Sequence, residues 1–431
     1  MRPKSFSFQC LLSLSILFLC IPFAMAQRPG FNYDEVNVPS YELPDPLVSE
    51  SGKPITSIQD WENLRRPEIL ALFEDHVYGR RPAKPKNPTY TVTSESINAL
   101  GGKAIRKQIT IRFDENAFPQ ALHVLLYIPN SIQGAAPVFV GYNFNGNHTI
   151  HTDPSIHLST SWMRTNGNGN IKHQATDEAR GKSSKRWPIE RIVERGYAVA
   201  TAYYGDIEPD HSEGWKDGIR SHYDTDSKGK PLELEEWSAI SAWAWGLSRI
   251  VDYLETDSAI DEKRIALLGH SRLGKTSLWA GATDERFGIT ISNNSGCGGA
   301  ALSRRAFGET VKRINNSFPY WFNRTFKTYN DNEAAIPVDQ HQLIALMAPR
   351  AVYVASAQED LWADPNGEFL SAKAASPVYE LFGLDGVVAK TQPPLNSSIG
   401  GHVGYHFRTG KHDVTLYDWE RYLDFADRHF E

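Results

Sequence analysis

The chain has 431 residues, 41% hydrophobic and 22% charged, which excludes a disordered or fibrous protein and leaves room for a large core. A formal net charge of −6 gives no general attraction to nucleic acid or anionic lipid, so neither is expected as a partner. Of the three cysteines, Cys10 and Cys20 lie in the N-terminal leader described next. Cys297, between glycines, reads as a buried structural thiol with no intramolecular disulfide partner.

Arg2 and Lys4 precede a largely apolar run from Leu11 to Phe23 and a small-x-small site at Ala24-Met25-Ala26. This pattern predicts a signal peptide over residues 1–26, a mature chain starting near Gln27, and a periplasmic or extracellular location. Leu19 before Cys20 argues against a lipoprotein. No later segment reaches the ~18 apolar residues of a membrane span, so no membrane partner is expected after cleavage.

Residues 27–431 then read as one α/β catalytic domain with an extended N-terminal segment. Its Pro-rich, polar start, Arg28 to Pro54, is expected to wrap the surface. Ser57 to His76 has a helical pattern with an expected break at Pro67. Tyr90 to Thr93 and Ala104 to Arg112 alternate like early strands. Further strands are expected at Val138 to Tyr142, Tyr197 to Ala202, Arg264 to Leu268, Gly288 to Ile291 and Ala351 to Ala355. Helical patterns at Glu235 to Leu254, with Trp237, Trp243 and Trp245, at Lys275 to Thr283 and at Asp418 to Phe430 alternate with them. Such alternation predicts a mostly parallel central sheet sandwiched by helices. An insertion rich in Asn, Gly, Ser and Thr, His148 to Lys185, is of the kind that lines sites.

Gly269-His270-Ser271-Arg272-Leu273-Gly274-Lys275 ends a buried strand and opens a helix. This is a nucleophile elbow in outline, although Leu273 stands where G-x-S-x-G has its second glycine. A bare G-x-S match would favour a serine N-cap on an ordinary βα turn, and the residues that follow in the chain reverse that preference. A serine hydroxyl needs a base and an acid, which in this class follow in the order Ser, Asp/Glu, His. Asp360, just beyond the strand Ala351 to Ala355, suits the acid, with Glu359 and Asp364 as neighbours that could cap the next turn. His402, His406 and His412 precede the final helix, and His412 sits where a last-loop base belongs. The histidines lack metal-site spacing, so no metal is expected. Gly269, Gly274, Lys275 and Thr276 also fit a Walker loop, but no partner acid supports that reading.

On these segments, together with Ser295 to Arg305 and Glu359 to Pro365, the chain from about Val138 onward resembles the carbohydrate esterase family 15 glucuronoyl esterases, particularly the bacterial type. The resemblance implies an α/β-hydrolase fold, no cofactor, and hydrolysis of the ester joining (4-O-methyl-)glucuronate of xylan to lignin alcohols. The expected partner is therefore a glucuronoxylan or lignin–carbohydrate ester. Carried over by motif, Ser271 attacks, His412 takes its proton, and Arg272 stabilises the oxyanion. Lys275, Glu309 and Trp362 hold the sugar. Many members place the triad glutamate where this chain aligns Asn294, so the orienting role falls to Asp360. Trp215, Tyr203, Tyr204, Trp321 and Phe322 are candidates for an aromatic wall. The alternatives are an acetyl-xylan or other carboxylesterase, or a noncatalytic carbohydrate-binding protein on the same scaffold.

Overall fold

Runs rich in β-branched residues build a ten-stranded sheet in the computed structural model, which describes residues 28–113, 121–165, 167 and 169–430. The leader predicted over residues 1–26 lies outside these. The strands are β1 (Thr89–Asn98), β2 (Ala104–Arg112), β3 (Leu122–Pro129), β4 (Ala136–Asn143), β5 (Ala198–Tyr203), β6 (Ile260–His270), β7 (Ile289–Asn293), β8 (Ala351–Ala357), β9 (Ser397–Gly400) and β10 (Val403–Arg408). Their order is β1-β2-β3-β5-β4-β6-β7-β8-β10-β9. The run from β5 to β10 is parallel throughout, with β1, β2, β3 and β9 antiparallel at the edges. This is the mostly parallel sheet that the strand-helix alternation predicts, and it fits the α/β-hydrolase fold that the family resemblance implies.

Both faces of the sheet are covered, as a parallel sheet requires. On one lies the helix Ala239–Leu254, buried along its whole length, packed on the helix Arg272–Thr283. The tryptophans there satisfy their indoles locally: Trp243 donates to Glu208 O at 2.9 Å and Trp245 to Ala83 O at 3.2 Å. On the other face the helix Leu416–Phe430 presses Trp419, Tyr422 and Phe425 against Ile291 and Tyr353. Among the described residues no helix is long and apolar enough to cross a membrane.

One expectation needs correction, and several elements go beyond the sequence reading. Pro67 does not break the first helical segment, because Trp61–Arg65 forms a π turn and Pro67 falls in the first turn of Arg66–Phe73, where a missing N–H costs little. The segment Gly401 to His406 supplies two of the three candidate histidines. It holds β10, and His406 is fully buried with Nε2 2.9 Å from Asp418 Oδ1. Finally, β3, β9 and the helix Pro365–Leu381 were not expected; Pro365 there occupies a helix start and Pro377 lies inside.

Candidate active site

Four neighbouring parallel strands deliver the site from one edge of the sheet. β6 ends at His270, directly before Ser271; β7 ends at Asn293, directly before Asn294. Asp360 follows β8 and His412 follows β10. The carboxyl edge of parallel strands is where open α/β folds collect ligands.

Ser271 has φ 58° and ψ −127°, a strained conformation for a residue with a side chain, and it stands at the N-cap of Arg272–Thr283. Gly269 makes the turn possible, since a Cβ there would lie 1.9 Å from Leu273 O. Gly274 acts differently. Its Cβ would meet that of Ser295 at 2.9 Å, so the glycine lets the helix approach the loop after β7. Leu273 is 1% exposed and belongs to the core, which explains why the second glycine comes one position late. The N–H groups of Gly274 and Lys275 turn inward to Ser271 O, at 2.9 and 3.2 Å, and so do not cradle a phosphate. The Arg272 N–H is in the first turn, where no intrahelical acceptor exists, and helix dipole and free donor together favour an oxyanion.

His412 Nδ1 lies 2.6 Å from Asp360 Oδ2. A carboxylate oxygen accepts, which puts the proton on Nδ1 and leaves Nε2 as the base. The His412 side chain is 42% exposed whereas Asp360 is buried, so the imidazole is open to the cavity and the carboxylate lies behind it. The same Asp360 oxygen accepts from Asn294 Nδ2 at 3.0 Å. His412 also packs on His270, the residue before Ser271, with ring centroids 4.5 Å apart. Burial and the nearby His412 hold His270 well below the usual imidazole pKa, so it stays neutral.

The guanidinium of Arg272 is fixed by residues that no sequence motif marks. It pairs with the fully buried Asp210 and lies 4.9 Å over the Trp321 ring. Asp210 also accepts from Tyr204 Oη, Tyr320 Oη and Trp321 Nε1, each at 2.8 Å. Burial favours the neutral acid, yet Arg272 and Arg164 outweigh it and hold Asp210 below the usual carboxylate pKa. For Arg272 burial opposes the charge, and Asp210 more than offsets it. Asp210 follows β5 at the active edge, so its position past a predicted strand was the available signal.

Ser271, Arg272, Lys275, Glu309, Asp360, Trp362 and His412 all line one cavity of about 570 Å³. Lys275 donates to Ser295 O and is lowered in pKa by burial, which Glu309 partly opposes. Burial raises Glu309, against Lys275 and a hydrogen bond with Trp362. Of the aromatic candidates, Trp321 lines the cavity, joined by the unforeseen Phe318. Tyr203, Tyr204 and Phe322 are core residues, and Trp215 stands apart beneath Lys216. Among its described residues, the insertion His148 to Lys185 does not line this cavity but the adjoining one, through Trp162, Arg164, Thr165 and His173. Cys297 is buried and free, and burial pushes its thiol well above the ordinary value. Among the described residues no group of three or more His, Cys, Asp or Glu could hold a metal ion.

A strained serine at a strand-helix turn, sharing one cavity with a carboxylate-paired imidazole at the carboxyl edge of a mostly parallel sheet, defines the class of serine hydrolases of the α/β-hydrolase fold. A family model described as glucuronyl esterase, fungi, matches residues 232–383. A carbohydrate esterase from an unknown prokaryotic organism is 52% identical over 409 residues, covering 95% of this chain and 94% of the relative. The solved structure of a promiscuous carbohydrate esterase family 15 member from a marine bacterial metagenome is 52% identical, with a TM-score of 0.87 over 93% of this chain and all (100%) of that one. A glucuronoyl esterase from Solibacter usitatus is 48% identical, with a TM-score of 0.86 over 92% and 100% of the two chains. The chain belongs to carbohydrate esterase family 15, the glucuronoyl esterases, which are carboxylic ester hydrolases.

Proposed function

We propose that the chain hydrolyses esters of glucuronate or 4-O-methyl-glucuronate on xylan, releasing the uronic acid and a lignin-type alcohol. The observation that carries the reading is the convergence of Ser271, the His412–Asp360 pair and Arg272 with Lys275, Glu309 and Trp362 on one cavity. Ser271 Oγ attacks the ester carbonyl while His412 Nε2 takes its proton. The Arg272 amide and guanidinium balance the charge on the carbonyl oxygen, and one such donor contributes about 3 kcal/mol. His412 returns the proton to the departing alkoxide as the carbonyl reforms, giving a glucuronoyl-Ser271 ester. Water, deprotonated by His412, then attacks this ester and frees Ser271 and the uronic acid. Asp360 holds the imidazole in the required tautomer and balances its positive charge. Lys275, Glu309 and Trp362 offer the donors and acceptors that sugar hydroxyls need.

The N-terminal charges and apolar run support export, with cleavage after Ala26. The promiscuity ascribed to the 52% identical relative favours a second reading, a carboxylesterase of wider ester range. Turnover of benzyl glucuronate against acetylated xylan separates the two: preference for the uronate ester is expected, and equal or greater activity on acetate would defeat the first reading. Ser271→Ala is expected to abolish both activities. A noncatalytic carbohydrate binder would show no turnover before the substitution and unchanged glycan affinity after it.

A further inference from the structure

The N-terminal segment does more than wrap the surface, because it is laced onto the sugar end of the cavity. Asn32 O accepts from Gly308 N at 2.8 Å, and Glu35 pairs with Arg305 at 2.7 Å. Phe31 meets Trp362 edge-on, with ring centroids 4.9 Å apart. These ties deliver Arg28 to the rim, its guanidinium 4.2 Å over the Trp362 ring. Arg313, on the helix Val311–Ser317, approaches the Phe31 ring at 5.9 Å. Both arginines line the cavity.

Neither arginine has an ion-pair partner among the described residues, whereas the nearby Arg272 and Arg305 are paired with Asp210 and Asp364. Nε of Arg313 is buried with no acceptor. Lys275, Arg28 and Arg313 all act on the single carboxylate of Glu309. Around Glu309 three cations meet one anion, a formal excess of two positive charges, while elsewhere in the lining Lys411 offsets Glu359 and Arg272 is paired with Asp210. A cleft with low-dielectric walls concentrates such a field, and a guanidinium stacked on an aromatic ring keeps its N–H groups free for a carboxylate. The ester undergoing hydrolysis is neutral, so it does not answer this excess.

We propose that Arg28 and Arg313 form an anion subsite that takes the free carboxylate of a second uronate on the same polysaccharide. The inference rests on the proposed action on uronate esters and makes the enzyme selective for acidic xylan regions over isolated esters. The test uses full-length Ser271→Ala protein and calorimetry with two xylo-oligosaccharides. One carries a single methyl-esterified glucuronate; the other carries, in addition, a neighbouring free glucuronate. The second is expected to bind roughly five- to tenfold more tightly at low salt, with the gap closing at about 0.5 M salt. Arg28→Gln with Arg313→Gln is expected to remove the gap, and the paired lysine substitutions to keep part of it. Equal affinities in the parent protein, or a gap that survives the glutamine pair, would overturn the subsite. Turnover of the neutral ester by the unsubstituted enzyme reads the esterase function separately, so loss of one conclusion is not mistaken for loss of the other.

Discussion

Asn294 donates its side-chain N–H to Asp360 Oδ2 at 3.0 Å, and this is the oxygen that faces His412 Nδ1 at 2.6 Å. The amide sits directly after β7 with φ 46°, a conformation asparagine tolerates better than most residues, and is 1% exposed. It therefore fixes the carboxylate without adding a second charge. Asp360→Asn is expected to lower kcat on benzyl glucuronate about 10³- to 10⁴-fold, because the imidazole loses its tautomer and its counter-charge. Asn294→Ala is expected to cost about tenfold in kcat with KM little changed. Adding Asn294→Glu to Asp360→Asn is expected to recover part of the loss, since a carboxylate from position 294 reaches the same region. A mild effect of Asp360→Asn in steady-state kinetics would retire that residue as the orienting acid.

Asp210 supports Arg272 in a comparable way. It is fully buried, and removing its charge leaves a largely buried guanidinium uncompensated, a change that costs about 3–5 kcal/mol in comparable pairs. Asp210→Asn is expected to shift the urea midpoint downward and to reduce kcat, while Tyr204→Phe, which removes one neutral donor, costs about 1 kcal/mol. Because the folded-state pKa of Asp210 is depressed, its contribution is present above the unfolded value near 3.9 and disappears as pH falls below it. Unfolding curves for the parent and the variant should therefore converge on acidification; parallel curves down to pH 3 would contradict the assignment.

The strands that carry the site were legible because continuous apolar runs such as Ile265 to Leu268 and Val352 to Val354 are buried on both faces and show no alternation. Ser271 was legible from its glycines and Asp360 from its place after β8. What stayed hidden depends on tertiary packing. β10 is short and carries Gly404 and His406, both poor strand markers, and is stabilised by Asp418 from the last helix. Asp210 follows β5 but shares the stretch Asp206 to Asp210 with two other carboxylates, so its place past a strand alone does not single out the one that meets Arg272. Arg28 lies in a segment without periodicity, and tertiary contacts such as those with Trp362, Gly308 and Arg305 bring it to the cavity.

Glu368 gives a pH-dependent test of the scaffold beneath the site. It is fully buried under the loop after β7, accepting from Ser295 N at 2.7 Å, Gly296 N at 2.9 Å and Ser356 Oγ at 2.6 Å. Burial pushes its pKa up to about 8, with these hydrogen bonds opposing only part of the rise. The folded state thus keeps a proton that the unfolded chain releases near pH 4.3. Stability from this group falls as pH rises from there to about 8, by up to about 1.4 kcal/mol per pH unit, and is level beyond. Glu368→Gln matches the protonated acid in shape and keeps an acceptor for both amides. The difference between parent and variant in urea unfolding should favour the variant increasingly from pH 5 to pH 8, and a constant difference would refute the buried proton.

The late glycine of the elbow yields the last prediction. Leu273→Gly restores the commoner G-x-S-x-G spacing, and a sequence-pattern argument would expect it to be harmless. The structure argues the reverse, because Leu273 fills the core beneath the helix while Gly274 already provides the close approach to Ser295. Losing the side chain opens a cavity and adds a glycine to a helix, together costing about 4 kcal/mol. Gly274→Ala is also expected to destabilise, although alanine is the better helix former by about 1 kcal/mol, since its methyl would sit 2.9 Å from the Ser295 Cβ. Lower urea midpoints for both variants, with no gain in kcat for Leu273→Gly, would establish that position 274 serves helix packing and position 269 the turn itself.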